Sequence, residues 1–330
     1  MRASGRPTMV DVAADAGVSL KTVSRVINAE PNVDADMTAR VEASIERLGY
    51  HRNALAASLR SGSRDTIAFL SADLSNTFYM AIAAAISAVA AAHRMHVIIA
   101  SSEEDPTTER TLALDLAQRR VAGLIVVPAG SDHEYLEVEV QRGTPVVFID
   151  RPGSGIRADE LLIDNRGGAR AAVAELIAAG HRRIAVLLDT PDIFTMVQRR
   201  AGAEEAFAAA GRAMDPRLVV AGLHTPGAAR EAMERLLEEP DPPTAVFCGN
   251  NRVTIGALEA LLAEDAEVAL SGFDDFELSR LLSRAIRIVD YDTTALGTRA
   301  TETLLARISG AAPAPPFLLP THLVTRGLGN

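Results

Sequence analysis

The chemistry-bearing side chains of this 330-residue chain fall into two groups. One is a row of hydroxyl, ammonium and guanidinium groups between Ser19 and Arg25. The other consists of carboxylates, amides and one arginine that follow apolar runs in the rest of the chain. Groups of the first kind can donate hydrogen bonds to bases and phosphates, and groups of the second kind can bind vicinal hydroxyls. Each group depends on the helices or strands that position it.

The segment from Thr8 to Arg25 predicts two short amphipathic helices joined by a tight turn at Gly17. Thr8 is expected to cap the first helix, with Asp11 as its reciprocal partner, and Ser19 to cap the second. The apolar spacing predicts that the second helix buries Val23, Val26 and Ile27 and directs outward Leu20, Lys21, Thr22, Ser24 and Arg25. This is helix-turn-helix geometry, in which the second helix enters the major groove of DNA. An ordinary helical hairpin is the alternative interpretation.

Two stretches, DVAADAGVSLKTVSRVIN and VEASIERLGYHRNALAASLRSG, closely resemble the DNA-binding headpiece of the lactose/galactose repressor (LacI/GalR) family of bacterial transcription regulators. The resemblance continues through nearly the whole chain. It implies that the bases are contacted by Leu20, Lys21 and Arg25. It further implies that a set of polar residues contacts phosphate or supports the interface, namely Thr8, Ser19, Thr22, Ser24 and Asn28. Lys21 is the single lysine of the chain.

A third helix is predicted from Asp36 to Leu48, where Val41, Ile45 and Leu48 complete a small core. After it, Ala54 to Arg60 can form two turns of helix capped by Asn53, which is too short to be stable alone. The resemblance implies a hinge helix that folds on the operator and inserts Leu59, next to Ala56, into the minor groove. A plain flexible linker is the alternative.

From Thr66 onward, buried apolar strands alternate with alanine-rich helices. The predicted strands lie at 67–70, 97–100, 123–127, 146–149, 184–188, 218–220, 245–248 and 268–270. This alternation predicts two doubly wound parallel sheets with a cleft between them. The resemblance implies that the helix near Thr293 to Ile308 and the segment from Phe317 to Val324 return to the first lobe.

The predicted fold class is therefore α + α/β, with a three-helix helix-turn-helix domain, a hinge helix and a two-lobed periplasmic-binding-protein-like (type I) core. The expected boundaries are 1–50 for the DNA-binding headpiece, 51–63 for the hinge and 64–330 for the core. Within the core, the first lobe takes about 64–163 plus 292–322 and the second about 164–291.

Ligands of open parallel sheets bind at the carboxyl ends of the strands. Residues at such ends, with one arginine that opens a helix, predict an effector site made of Asp73, Asn76, Phe78, Asp150, Arg151, Arg199, Asn250 and Asp274. Tyr291 is expected close to the cleft. Taken singly, each acidic residue also fits a helix cap or a turn. The resemblance implies that the effector is contacted by Asp150, Arg199, Asn250 and Asp274. It also shows two departures from the family pattern, Asn251 in place of aspartate and Phe273 in place of tyrosine.

The expected effector is a monosaccharide or a similar polyol, and a sugar acid also fits carboxylate and arginine together. The chain has no tryptophan, and the family's purine-binding and protein-corepressor members use different aromatic sets. No cofactor or metal is expected, because the seven histidines show no metal-ligand spacing. An enzyme is not expected either, since no phosphate loop or catalytic constellation is evident.

Charge and cysteine content narrow the class of protein. The net charge of −10 argues against a generic nucleic-acid binder, and residues 1–62 hold eight Arg/Lys against seven Asp/Glu. DNA affinity must therefore come from placed contacts, which are still salt-sensitive, and from pairing of two headpieces. One cysteine, the lack of an apolar leader and the lack of a long apolar run predict a cytoplasmic chain, nucleoid-associated when DNA-bound. These features argue against a sugar-binding transport protein, as does the helix-turn-helix.

Together these features predict a sequence-specific transcription regulator that binds a palindromic operator as a homodimer. We expect a repressor that a small sugar-like effector releases from DNA. The alternatives are a sugar-binding module and a regulator whose ligand tightens DNA binding as a corepressor.

Overall fold

The computed structural model describes residues 7–27, 30–31, 33–50 and 65–328. The chain divides into two compact units, Met1–Arg64 and Asp65–Asn330. Among the described residues, no helix combines the length and the apolar character needed to cross a membrane. The predicted hinge, including Asn53, Ala56 and Leu59, lies outside the described residues, and so does Asn28.

The described residues of the first unit form three helices, α1 (Met9–Ala16), α2 (Leu20–Ile27) and α3 (Ala35–Leu48). The Asp11 amide donates to the Thr8 hydroxyl at 3.4 Å and the Thr8 amide donates to the Asp11 carboxylate at 2.9 Å. This is the predicted reciprocal cap. Gly17 ends α1 with φ of +64°, a left-handed conformation that suits glycine. The Thr22 amide donates to the Ser19 hydroxyl at 3.1 Å, so the predicted cap of α2 is also confirmed.

A compact apolar core joins the three helices, and its buried members are Val12, Ala13, Ala16, Val23, Val41 and Tyr50. A polar link between α1 and α3 supplements it. The Asp15 carboxylate accepts hydrogen bonds from the Ser44 hydroxyl at 2.6 Å and from Arg47 Nη2 at 2.5 Å. These two donors lower the pKa of Asp15 below its usual value. The relative position of α1 and α3 is thus fixed by both apolar packing and a charged hydrogen bond.

The second unit is built on two six-stranded sheets. All strand pairs of the first sheet are parallel. Its strands are β1 (Thr66–Ser71), β2 (His96–Ser101), β3 (Leu124–Val126), β4 (Val146–Ile149), β5 (Asp159–Ile163) and β11 (Phe317–Leu319). They lie in the order β11-β5-β4-β3-β1-β2, which makes β2 an edge strand.

The second sheet has the order β12-β10-β9-β8-β6-β7 and is parallel except for the pair of β10 and β12. Its strands are β6 (Ile184–Leu187), β7 (Val219–Val220), β8 (Ala245–Cys248), β9 (Ala269–Phe273), β10 (Ile286–Asp290) and β12 (His322–Arg326). Strands β6, β8 and β9 are almost wholly buried, as expected for strands that have helices on both faces.

Helices flank both sheets. The helices beside the first sheet are α4 (Thr77–Ala92), α5 (Pro106–Gln118), α6 (Glu137–Gln141) and α11 (Thr293–Ile308). Those beside the second sheet are α7 (Asn165–Ala178), α8 (Phe194–Ala209), α9 (Pro226–Leu237) and α10 (Asn251–Ala263). A polar residue just before many of them accepts a hydrogen bond from the first turn, as Asn76 does for α4 and Asn250 for α10.

The chain passes between the two sheets three times, after β5, after β10 and after β11. Helix α11 packs against α4, so it returns to the first lobe as expected. The expectation that Phe317 to Val324 returns there as a whole is wrong for its last part. Only β11 joins the first sheet, whereas β12 pairs antiparallel with β10 in the second. Because three short connections join the lobes, the second unit has the parts of a hinge.

Candidate functional site

The outward face of α2 carries the side chains that the sequence predicts for base contacts. Leu20 is 47% exposed, although a leucine normally avoids water, and Lys21 is exposed beside it. Thr22 and Ser24 are half-buried, while Val23 between them is fully buried. Burial of Val23 fixes the rotation of α2, so that the polar side chains are held on the opposite face. A helix with this face can enter the major groove of a duplex.

Arg25 does not extend freely from α2. Its Nε donates to the Glu30 carboxylate at 3.2 Å and its Nη2 donates to the Pro31 carbonyl at 3.1 Å. Both side chains of the ion pair are more than a third exposed, so the pair is weak in water. To contact a guanine, the Arg25 guanidinium has to exchange Glu30 for the base edge.

The second candidate site lies between the two lobes. A cavity of about 480 Å³, including its open mouth, is lined by side chains that follow strands of both sheets. Eight of the nine predicted effector residues line it: Asp73, Asn76, Phe78, Asp150, Arg151, Arg199, Asn250 and Asp274.

Arg199 and Asp274 form a buried ion pair at the back of the cleft. Arg199 Nη1 and Nη2 donate to the two carboxylate oxygens of Asp274 at 3.0 and 3.1 Å. The guanidinium also donates to Asn165 at 2.7 Å and to the Gly249 carbonyl at 2.6 Å, and it stacks 3.7 Å above the ring of Phe273. Both partners are more than nine-tenths buried, so the pair is held rigidly in place.

Tyr291 acts on the cleft through Asp274. Its hydroxyl donates to Asp274 Oδ1 at 2.5 Å, and burial raises its pKa well above the ordinary value for tyrosine. The hydroxyl therefore stays protonated and remains a donor. Tyr291 stands behind Asp274 and, among the residues that the structure describes, it is not one of those that line the cavity.

Asp150 occupies the position in the first lobe that Asp274 occupies in the second. Each follows an inner strand with a positive φ, +66° for Asp150 and +68° for Asp274. The Asp150 amide donates to the Leu161 carbonyl at 2.9 Å, and the Asp274 amide donates to the Val289 carbonyl at 3.1 Å. Aspartate tolerates this backbone conformation better than most residues, and here the conformation turns the carboxylate towards the cleft.

The neighbouring Arg151 is engaged elsewhere. Its Nη1 and Nη2 each donate to the Glu104 carboxylate at 2.6 Å, and Nη1 also donates to the Pro128 carbonyl. The Asp150 carboxylate accepts a hydrogen bond from the Tyr79 hydroxyl at 3.3 Å, and Arg151 Nε lies 3.7 Å away. Burial raises the pKa of Asp150 to about 6 because these partners only partly offset the loss of water.

Two contacts join the lobes at the mouth of the cleft. Arg252, in the first turn of α10, donates to the carboxylate of Asp73 and to the Ser75 hydroxyl. Asn251 Nδ2 donates to the Asn76 side-chain oxygen at 3.0 Å. Hydrogen bonds from Ser75 and Arg252 outweigh the effect of burial and lower the pKa of Asp73. A polar latch between the loop after β1 and the start of α10 therefore closes one side of the cavity.

Asn250 and Asp189 form the remaining polar wall. The Asn250 side-chain oxygen accepts the Val253 amide at 2.9 Å as the cap of α10, and its Nδ2 donates to Asp189 Oδ2 at 2.9 Å. Asp189 also accepts from Thr190 and from His224 Nδ1 at 3.1 Å. Asn250 therefore reaches the cleft with one amide hydrogen to spare.

Several cavity residues escaped the prediction of the site, among them Tyr79, Glu104, Thr195, His224 and Arg252. Most of them lie in loops after strands or in the first turn of the next helix, which is the same signal that identified the others. Glu104 follows β2 and His224 follows β7. Within the described parts of the chain, no cluster of His, Cys, Asp or Glu is arranged to hold a metal ion.

Comparison with known proteins agrees with both units. Residues 8–53 match the family described as bacterial regulatory proteins, lacI family, and residues 64–314 match periplasmic binding proteins and sugar binding domain of LacI family. The chain is 32% identical over 337 residues to the HTH-type transcriptional regulator CelR of Thermobifida fusca, covering 98% of each chain. It is 32% identical over 329 residues to the HTH-type transcriptional regulator GalR of Escherichia coli K12, covering 96% of each. Both of these relatives are transcriptional regulators.

Among solved structures, the lac repressor dimer bound to operator and the anti-inducer ONPF superposes with a TM-score of 0.83 at 26% identity, covering 97% of this chain and 98% of that one. The fold class is therefore confirmed in both its helix-turn-helix and its two-lobed parallel-sheet parts. The exposed face of α2, the cavity between the lobes and these similarities lead to one conclusion: the chain belongs to the LacI family of DNA-binding bacterial transcription regulators.

Proposed function

We propose that the protein is a transcriptional repressor that binds a palindromic operator as a homodimer and leaves it when a small sugar-like effector fills the cleft. The observation that carries this proposal is the cavity itself, whose walls come from both lobes. A ligand that touches both walls favours one arrangement of the lobes over others. Such a ligand can shift the equilibrium between lobe arrangements, because it binds them with different affinities.

The latch at the mouth supports a two-state core. Arg252 and Asn251 on one lobe donate hydrogen bonds to Asp73 and Asn76 on the other. An effector that engages Asp274 and Asp150 adds contacts to the same closed arrangement. The coupling free energy between two sites is typically about 1 to 3 kcal/mol, which corresponds to roughly a 5- to 150-fold change in DNA affinity.

Exposed apolar residues support the dimer. The edge strand β2 leaves Ile98 and Ile99 each 38% exposed, and Leu278 and Leu281 are 63% and 72% exposed. Long apolar side chains on an open sheet edge favour pairing with another chain. A two-fold dimer would present two headpieces to the two halves of a palindrome. The lac repressor structure to which this chain is similar is a dimer bound to operator.

Selection of DNA from a random pool with the full chain tests the proposal. We expect the recovered sequences to share a palindrome and sedimentation to show two chains per duplex. Neutral monosaccharides and disaccharides are then added to the complex, and release of the duplex by at least one of them is expected. Tighter binding of the chain to the duplex in the presence of a sugar would show that the sugar acts as a corepressor. Recovery of unrelated sequences would refute specific operator binding.

A further inference from the structure

The positive groups of the cleft are already neutralised. Each guanidinium that lines the cavity is paired with a carboxylate that also lines it: Arg151 with Glu104, Arg199 with Asp274 and Arg252 with Asp73. The first two pairs are bidentate. Among the described cavity residues, none of the three arginines is left without an anionic partner to attract a ligand's phosphate or carboxylate.

Among the described cavity residues, the carboxylates of Asp150 and Asp189 accept no hydrogen bond from these arginines, although Arg151 Nε lies 3.7 Å from Asp150 Oδ2. The two carboxylates differ in how many hydrogen bonds they accept. Asp189 accepts hydrogen bonds from four donors, namely Thr190 N, Thr190 Oγ1, His224 Nδ1 and Asn250 Nδ2. Asp150 is 3% exposed and, from the part of the chain that the structure describes, its side chain accepts a single, long hydrogen bond, from Tyr79 at 3.3 Å on Oδ2. Within the described residues, Asp150 Oδ1 accepts no hydrogen bond. A buried carboxylate on a cavity wall with an unfilled acceptor calls for a donor from the ligand.

We infer that the cleft takes an uncharged or amino-substituted sugar, with a hydroxyl or ammonium group donating to Asp150, and that it rejects phosphorylated and carboxylated sugars. This inference rests on the proposed function, since it assigns the chemistry of the same effector. A phosphate in the cleft faces Asp150 and Asp189 at short range in a poorly solvated space, where like charges repel strongly. An ammonium group at Asp150 instead forms a charge-assisted hydrogen bond.

Matched sugars give the sharpest test. Isothermal titration of the full chain is carried out with D-glucose, D-glucosamine and D-glucose 6-phosphate, and with the same three forms of galactose and mannose. For whichever of the three sugars binds, the sugar phosphate is expected to bind about tenfold or more weakly than the neutral form. The amino sugar is expected to bind at least as tightly as the neutral sugar. Asp150→Asn should remove any advantage of the amino form, because the amide carries no charge.

A second variant checks the pairing argument. Glu104→Gln frees the Arg151 guanidinium from its carboxylate partner. The variant should therefore reduce the difference in affinity between the sugar phosphate and the neutral sugar. A phosphate or a sugar acid that binds more tightly than its neutral parent would overturn the inference. Failure of every neutral and amino sugar to bind a chain that still selects a palindrome would also overturn it. If the sugars bind with the expected order of affinities but do not change the affinity of the chain for DNA, the proposed function would be refuted instead.

Discussion

Replacing Asp150 by asparagine should stabilise the folded state of the two-lobed second unit at neutral pH. Asp150 is buried, and its pKa rises from 3.8 to about 6, so its ionised form is poorly tolerated in the folded state. A rise of about two units in the pKa of Asp150 means that its ionised carboxylate lowers the free energy of unfolding by roughly 3 kcal/mol at neutral pH. Asparagine has the same shape and can still accept the hydrogen bond from Tyr79. We therefore expect Asp150→Asn to raise the free energy of unfolding by roughly 1 to 3 kcal/mol.

The pH dependence gives the sign of the effect. Because the pKa of Asp150 is raised in the folded state, the native chain keeps the carboxyl proton up to about pH 6, whereas the unfolded chain loses it near pH 4. The stability that this proton provides is lost as the pH rises through that window. The advantage of Asp150→Asn should therefore be largest above about pH 7 and should shrink towards pH 4. Urea unfolding of both chains across this range, followed by circular dichroism, measures it.

Asp274→Asn is the matched comparison, because Asp274 has the same backbone conformation and similar burial. Its carboxylate is the ion-pair partner of buried Arg199, so its neutralisation leaves a buried cation without a counter-charge. Breaking a buried pair in this way costs roughly 3 to 5 kcal/mol. The two variants should thus change stability in opposite directions. A less stable Asp150→Asn chain, or a stability difference that does not vary with pH, would refute the reasoning about Asp150.

Three further predictions concern DNA binding, the latch and the dimer. Lys21→Ala should relax the preference at one position of each half-site by about 1 to 3 kcal/mol, and selection that returns an unchanged consensus would contradict a base contact. Arg252→Ala removes the contacts of α10 with Asp73 and Ser75. Small-angle X-ray scattering should then show a wider core, and effector affinity should fall several-fold, whereas unchanged scattering would deny the latch. Ile98→Asp places a charge on the open edge of the first sheet. Sedimentation should show monomers, and an intact dimer would locate the interface elsewhere.

Local patterns account for what the sequence predicted correctly. The caps at Thr8 and Ser19, the turn at Gly17 and the apolar strands depend on neighbouring residues, so their positions can be inferred from spacing. Strand β10, in contrast, mixes charged and apolar residues, and only its pairing with β9 and β12 makes it a strand. The same holds for β12, because the sheet that it joins is decided by partners remote in sequence.

In the cleft, too, some features could be predicted from the sequence and others could not. The topological rule identified which residues reach the cavity, since the ends of parallel strands converge there. It did not identify which charge pairs with which. Glu104, and not Asp150, takes the guanidinium of Arg151, and Tyr291 donates to Asp274 from behind it. Such pairings depend on side-chain distances of a few ångströms, which spacing along the chain does not determine.

The most direct test of the account is the dissociation constant of the full chain for its selected palindrome, measured by fluorescence anisotropy with and without a neutral or amino sugar that binds the cleft. The sugar should weaken DNA binding by roughly 5- to 150-fold in the native chain. No such weakening is expected when Arg199→Ala disrupts the cleft, whereas Arg217→Ala, at an exposed position, should respond as the native chain does. Equal dissociation constants with and without a cleft-bound sugar in the native chain would show that the cleft does not control DNA binding.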